Sequence, residues 1–395
     1  MFAIDPTAQL VALRHELHRH PEIGLRLPAT QALVHETLTG LGLAPVRGRD
    51  CSSVTAVVRG TAPGPAGRAR PVVLLRADMD ALPVQETAEV DYRSRVPGVM
   101  HACGHDLHTA ALLGAARLLV ESSDRLPGDV ILMFQPGEEG HDGARVMLGE
   151  GVLAAAGAEP SSAWALHVMS NVVPPAVVAS RPGALMAAST RFTVTVRGAG
   201  GHAATPHLNR DPILAAADMV TGLYGLLPRT IPPLAPAVLS IGSFHGGESS
   251  NVVPAEAAFA GTLRAFDEAT MRGLEERVRR YCEALAAAHA LTAEVEVQPK
   301  YPVTVNDEEA IALARAVAGP AWQELAGPLA TSEDFAHVLA RVPGAMLLVG
   351  ATPAGADWTT APANHAPDAV FDDAVLPVAA RLYAALAGRA LEPRP

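Results

Sequence analysis

"PVVLLRADMD", residues 71–80, is a continuous apolar run that ends in charge. Such a run predicts a strand buried on both faces, with its C-terminal end reaching a site. Two later stretches share the form: "DVILMFQP" (129–136), which leads into "GEEG" (137–140), and "SAWALHV" (162–168). A helical pattern from about Asp106 to Glu121 separates the first two strands, and "SSVTAVVRG" (52–60) reads as another strand. Asp5 to about His20 and Thr30 to Gly40 carry further helical patterns. Strands and helices alternating at these lengths describe an α/β domain with a central, mostly parallel sheet.

Near Ala187 the pattern changes. "STRFTVTVRG" (189–198) alternates strictly, as a half-buried strand does, and a helix from about Asp211 to Leu227 follows. Strands around 236–243 and 255–265, a long helix from Glu268 to His289 and the strand "TAEVEVQP" (292–299) complete the segment. Strand–helix–strand–strand–helix–strand is the order of a ferredoxin-like α+β unit. Beyond "KYPVTVND" (300–307) the α/β pattern resumes. A helix is expected from about Asp307, another after Ser332, then the strand "AMLLVG" (345–350) and a final helix from Asp372. The expected domains are therefore 1–187 with 301–395, and an inserted 188–300. "TAPGPAGRARP" (61–71) is expected to be a loop.

The length of 395 residues agrees with two domains, because single cores rarely exceed ~250–300 residues. Apolar residues make up 49% and charged residues 18%, which excludes a disordered chain. A net charge of −11 argues against a general nucleic-acid binder. No apolar run reaches a membrane span, and the acidic residues near the start do not fit a secretory signal. Cys51, Cys103 and Cys282 are odd in number and widely spaced, which favours a reducing, cytoplasmic setting.

The ligand-capable residues collect at the C-terminal ends of the expected strands, where open α/β sheets place their ligands. They are Asp78 and Asp80, Cys103 and His105 of "HACGHD" (101–106), Glu138 and Glu139, His167, and His365 of "ANHAPD" (363–368). Aspartates at i,i+2 on an extended segment share a face. The same spacing would bring Cys103 and His105 together on an extended loop, whereas adjacent glutamates tend to point apart. Taken singly, each residue has an ordinary reading: His167 as a hydrogen-bonded core residue, the glutamates as a solvated turn, the aspartates as caps. All of them together at strand ends read instead as one metal site. Thiolate, imidazole and carboxylate suit Zn²⁺, and the harder donors also suit Mn²⁺, Co²⁺ or Ni²⁺. The donors outnumber the needs of one tetrahedral ion, so two divalent ions are expected.

The sequence resembles the M20 metallopeptidase superfamily, in the amidohydrolase branch of hippurate hydrolases, N-acyl-amino-acid deacylases and plant auxin-conjugate hydrolases. "LLRADMDALPVQE", "MHACGHDLHTA", "FQPGEEG", "ALHV", "GAGGHAATPH", "NVVPAEA", "TLRAFD", "SEDFA" and "NHAPD" carry the resemblance, in family order from about residue 70 to 370. It implies a zinc-peptidase-like catalytic domain with an inserted ferredoxin-like lid or dimerisation domain. It also implies Cys103, His105, Glu139, His167 and His365 as metal ligands and Glu138 as general base. Where most relatives carry a ligand histidine this chain has Asp78, and Cys103 supplies the missing ligand. Asp80 matches an aspartate that supports the metal site; whether Asp78 shares that task or is catalytic stays open. His202, Asn251 and Arg264 match positions that hold the oxyanion or the substrate's carboxylate end.

The implied reaction is hydrolysis of an N-acyl or N-aroyl amino acid to acid and amino acid, with Glu138 taking a proton from metal-activated water. The expected partner is that small substrate, with neither nucleic acid nor membrane, and with a homodimer or tetramer through the lid. The alternatives are a dipeptidase or aminopeptidase of the same superfamily, an amidase with Cys103 as nucleophile, and a binding protein without activity. His101 and His108 are read as supporting or helix-start residues, and Ser332, Glu333 and Asp334 first as a helix N-terminus. His207 and His245 are read as pocket candidates, and 226–236 and 351–362 as specificity loops.

Overall fold

A computed structural model describes residues 6–64, 69–232 and 235–392. Asp5 and part of the 61–71 loop lie outside the described residues. In chain order the first elements are α1 (Pro6–Arg19), α2 (Pro28–Gly40), β1 (Val46–Arg47), β2 (Val54–Arg59) and β3 (Val72–Asp78). They are followed by α3 (His105–Glu121), β4 (Asp129–Gln135), α4 (Gly143–Gly149), β5 (Ser162–Met169) and β6 (Val178–Ser180). The middle of the chain forms β7 (Ala188–Arg197), α5 (Pro212–Thr230), β8 (Ala237–Gly246), β9 (Glu256–Ala265), α6 (Glu268–Ala288) and β10 (Thr292–Tyr301). The chain ends with α7 (Glu308–Ala318), β11 (Trp322–Glu324), α8 (Ala336–Leu339), β12 (Gly344–Gly350) and α9 (Val375–Leu391).

The described residues divide into two compact units, one within 1–185, 305–327 and 334–395, the other within 186–304 and 328–333. The second unit thus gains a segment that the sequence reading placed in the first. Main-chain bonds tie that segment down: Ala187 N–H donates to Leu329 O at 3.2 Å and to Thr331 O at 2.8 Å. Arg264 adds a bond to Ala330 O at 2.9 Å.

The first unit is built on an eight-stranded sheet in the order β1-β2-β4-β3-β5-β12-β6-β11. Its middle, β4-β3-β5-β12, is parallel, and each of these four strands is buried along its whole length. That burial is why the strands read as continuous apolar runs. Pairings toward the edges turn antiparallel, at β1–β2, β2–β4 and β12–β6. Alternate residues set the two faces. Val73, Leu75, Val130, Leu132, Phe134, Trp164, Leu166 and Leu347 join α2, α3, α7 and α9 in one apolar core. The same parity puts Arg76, Asp78, Gln135 and His167 on the opposite face.

The second unit has the ferredoxin-like order expected, with an antiparallel sheet β8-β9-β7-β10. Its helices are capped by aspartates: Asp211 accepts from Ile213 N–H and Asp267 from Thr270 N–H. On α6 the buried residues Met271, Leu274, Val278, Cys282 and Ala286 recur at helical spacing and form one stripe. Residues 226–230, expected in a loop, continue α5, while 233 and 234 lie outside the described residues. Residues 351–362 hold neither helix nor strand.

Candidate metal centre

The turn before α3 is left-handed at Gly104, with φ of 83°. A Cβ there would lie 2.4 Å from Val168 Cγ2, so both the dihedral and the close approach require glycine. This turn, rather than the extended loop expected, brings Cys103 and His105 toward one centre. Cys103 Sγ lies 3.4 Å from His167 Nε2 and 3.2 Å from His365 Nε2. His365 Nε2 is 3.1 Å from Glu139 Oε1, and His105 Nε2 is 3.9 Å from the same oxygen. Donor atoms of Cys103, His105 and His167 lie within 4.8 Å of one another, as do those of Cys103, Glu139 and His365. His105, Glu138 and Glu139 form a third such group, so the two glutamates converge rather than point apart.

The surrounding bonds aim these donors. His167 Nδ1 donates to Val168 O at 2.8 Å, which leaves Nε2 facing the sulfur. His365 takes a positive φ of 72°, and its N–H donates to Ala102 O at 2.8 Å. Asn364, which the sequence reading did not single out, donates to Cys103 O and Val168 O and accepts from Ser170 N–H. Asp80 receives the N–H of Glu138 on Oδ1 at 2.9 Å and that of Glu139 on Oδ2 at 3.1 Å. One carboxylate thereby holds the turn that carries both glutamates. Asp78 is engaged on both oxygens too, by Arg76 Nη1 at 2.7 Å and His108 Nδ1 at 2.6 Å.

The electrostatics favour a thiolate at Cys103 among positively charged imidazoles. Burial opposes a charge on Cys103, yet the imidazoles of His167, His105 and His365 hold its thiol well below the ordinary range. Its bonds to Cys103 and Glu139 raise His365 to about 10. Burial pushes Glu139 up despite its bond to His365. Burial works against a charge on His105 as well, but Asp78, Asp80 and Cys103 raise it well above the usual value. Neither ring nitrogen of this buried histidine has a hydrogen-bond partner. Buried polar atoms are normally satisfied, so two orphaned nitrogens beside a thiolate and carboxylates fit residues built to hold divalent cations.

Other expected residues lie elsewhere. His108 lies in the first turn of α3, as a helix-start residue would, and bonds to Asp78 and to Val168 N–H. His101 is buried, and burial lowers it to about 3. The helix N-terminus expected at Ser332–Asp334 is replaced: α8 starts at Ala336 with no side-chain cap. Asp334 instead receives Arg76 Nη2, Gln135 Nε2 and Ala144 N–H. Ser332 is within 3.3 Å of Arg264 Nη1. His202, Asn251 and Arg264 all belong to the second unit. There His202 sits opposite Val252 in a short ribbon beside Asn251, and His202 Nδ1 accepts from Ala204 N–H, which leaves Nε2 to carry the ring proton. His207 and His245 are exposed on that unit.

Residues 74–389 match the family described as "Peptidase family M20/M25/M40". The chain belongs to this family. The M20 relatives include "IAA-amino acid hydrolase ILR1-like 4" of Arabidopsis thaliana, 37% identical over 97% of this chain and 86% of its own length. "N-acetyl-L-cysteine deacetylase" of Bacillus subtilis is 35% identical over 95% of this chain and 86% of its own. "Thermostable carboxypeptidase 2" of Saccharolobus solfataricus is 35% identical over 96% and 94%. Among solved structures, the Bacillus subtilis YXEP protein, titled "a Dinuclear Metal Binding Peptidase from M20 Family", superposes with a TM-score of 0.83 at 31% identity, covering 98% and 99% of the two chains. Membership of M20, with amidohydrolases among its relatives, makes this protein a metal-dependent hydrolase of amide bonds. No helix among the described residues is long and apolar enough to cross a membrane.

Behind the centre, Asp106 anchors a second buried network. Its Oδ2 accepts from Arg14 Nε at 3.0 Å and His18 Nδ1 at 2.9 Å, while His18 Nε2 reaches Glu86 at 3.2 Å. Burial works against the imidazolium, but Asp106 and Glu86 raise His18 to about 9. Because the folded value exceeds the unfolded one, this stabilisation is complete below about pH 6.5 and disappears as pH rises through about 9. A shift of this size corresponds to about 3 kcal/mol. The Tm advantage of the native protein over His18→Gln is expected to shrink across that window; a constant difference would contradict the assignment.

Proposed function

We propose that the protein hydrolyses the amide bond of N-acyl or N-aroyl amino acids, releasing a carboxylic acid and the amino acid. The observation that carries the reading is the gathering of Cys103, His105, Glu139, His167 and His365 around one centre, with Glu138 beside it. Two divalent ions, Zn²⁺, Mn²⁺, Co²⁺ or Ni²⁺, would be held by those five residues. When bound they would acidify a water and polarise the amide carbonyl. Glu138, buried and fixed through its backbone by Asp80, accepts the proton of the attacking water and passes it to the departing amine. Asp78 and Asp80 serve by positioning, since each has both oxygens committed to hydrogen bonds.

His202, Asn251 and Arg264 are proposed to bind substrate: His202 through its Nε2–H, and the Arg264 guanidinium through its capacity to clamp a carboxylate. A homodimer or tetramer through the second unit is supported by Leu214, Tyr224, Val238 and Phe244, exposed apolar residues on α5 and the edge strand β8. Three free, buried cysteines accord with a cytoplasmic setting. A peptidase reading is favoured by the two thermostable carboxypeptidases among the relatives and by the solved structure described as a peptidase.

A panel of acetyl- and benzoyl-amino acids against free dipeptides, run before and after chelation, tests the proposal. The expected result is turnover of the acylated amino acids, abolished by chelator and restored by one of these ions. Turnover confined to dipeptides would establish the peptidase reading instead. Chelator-resistant activity abolished by thiol alkylation would point to Cys103 as nucleophile.

A further inference from the structure

His105 and His108 are three residues apart in the first turn of α3 and so present their rings on the same side. Their bonding is opposite. Neither nitrogen of His105 makes a hydrogen bond; the nearest carboxylate oxygens are Asp80 Oδ1 at 3.6 Å from Nδ1 and Asp78 Oδ2 at 3.7 Å from Nε2. Both nitrogens of His108 are committed: Nδ1 donates to Asp78 Oδ1 at 2.6 Å, and Nε2 accepts from Val168 N–H at 2.8 Å. Considered only as donors, Asp78, His105 and His108 gather within 4.8 Å, as closely as the sets around Cys103. This group shares His105 with the Cys103 set and would compete for it.

Arg76 engages Asp78 from the other side. Its Nη1 holds Asp78 Oδ2 at 2.7 Å, its Nη2 holds Asp334 Oδ1 at 2.9 Å, and its Nε holds Gln135 Oε1 at 2.8 Å. Asp334 is fixed in turn by Gln135 Nε2 and by Ala144 N–H at 2.9 Å. Arg76, Asp78 and Asp334 have no exposed surface, so water cannot substitute for any of these bonds. The planar guanidinium spans three acceptors in fixed directions, so Asp78 is held between Arg76 on Oδ2 and His108 on Oδ1. With Oδ2 held, Asp78 keeps Oδ1 on His108, and His108 keeps its remaining lone pair on Val168 N–H.

We infer that Arg76, anchored by Asp334 and Gln135, is a positioning residue that selects the metal ligands: it withholds Asp78 and His108 and leaves His105 as the donor from α3. The inference rests on the metal-centre reading above.

The test is nuclear magnetic resonance of the full chain with ¹⁵N-labelled histidine, loaded with ¹¹³Cd²⁺. In the native protein, ¹¹³Cd–¹⁵N couplings are expected to ring nitrogens of His105, His167 and His365 and to neither nitrogen of His108. A coupling to His108 overturns the inference while leaving the metal centre intact. No coupling to any histidine overturns the metal-centre reading and this inference with it. In Arg76→Lys, which keeps the charge and loses the fork, the expected results are a shifted ¹¹³Cd resonance and an affinity for Cd²⁺ changed tenfold or more. A folded Arg76→Lys protein with the native resonance and affinity, altered only in Tm, would make Arg76 merely structural and overturn the inference. Asp334→Asn loosens the same fork from its far side and is expected to move the resonance likewise, so the test does not depend on the folding of one variant.

Discussion

Glu138→Gln is expected to lower kcat about a thousandfold while leaving the metal content unchanged. General-base catalysis by a positioned side chain contributes roughly 10²–10⁴-fold, and an amide cannot take the proton that the carboxylate takes. The substitution is nearly isosteric, and the bond from the backbone N–H of this residue to Asp80 Oδ1 is one the change does not touch. Cys103, His105, Glu139, His167 and His365 keep their positions. Elemental analysis and steady-state kinetics on the same preparation separate the two effects. Turnover near the native level would remove Glu138 from the chemistry; loss of metal together with turnover would make it a ligand.

Asp80→Asn is expected to damage both properties at once. The two oxygens of Asp80 accept the N–H groups of Glu138 and Glu139. An asparagine offers one acceptor and one NH₂, so one buried N–H loses its partner and meets another donor. An unsatisfied buried donor costs about 1–3 kcal/mol. The turn would relieve that cost by moving, and a displacement of about 1 Å at a reacting group can cost on the order of 100-fold in rate. Because Glu139 sits on the same turn, weaker metal retention is expected to accompany a kcat reduced about 100-fold. Glu138→Gln thus loses chemistry alone, whereas Asp80→Asn loses chemistry and metal together. An Asp80→Asn protein with full turnover and full metal content would show that this carboxylate does not hold the turn.

The fold was legible where burial covers both faces of a strand. Residues 72–78, 129–135, 162–169 and 344–350 announce themselves as apolar runs because their sheet is enclosed. Strands Val178–Ser180 and Trp322–Glu324 are too short to show a period and went unread. The antiparallel pairing of β2 with β4 is equally invisible, because an apolar run carries no information about direction. In the site, the ligand types were readable from composition, and strand ends do carry Asp78, Glu138, Glu139 and His167, whereas Cys103 and His105 stand at the start of α3 and His365 in the segment between β12 and α9. The supporting bonds were not. Arg76 stands out as a charge within an apolar run, but its partner Asp334 is 258 residues away. His108 could be read as a supporting or helix-start residue, but nothing in the sequence names Asp78 and Val168 as its partners. Asn364 left no trace beyond standing next to His365, although its amide ties the Cys103 turn to the end of β5.

Anomalous diffraction from crystals of the metal-loaded protein, collected at the absorption edge of the bound ion, would locate the ions against the side chains of a two-metal centre. Such a centre predicts two neighbouring peaks enclosed by Cys103, His105, Glu139, His167 and His365, with the Glu138 carboxylate adjacent and His108 still bonded to Asp78. Peaks lying away from these side chains, or none in a protein that hydrolyses its substrate after exhaustive chelation, would contradict it.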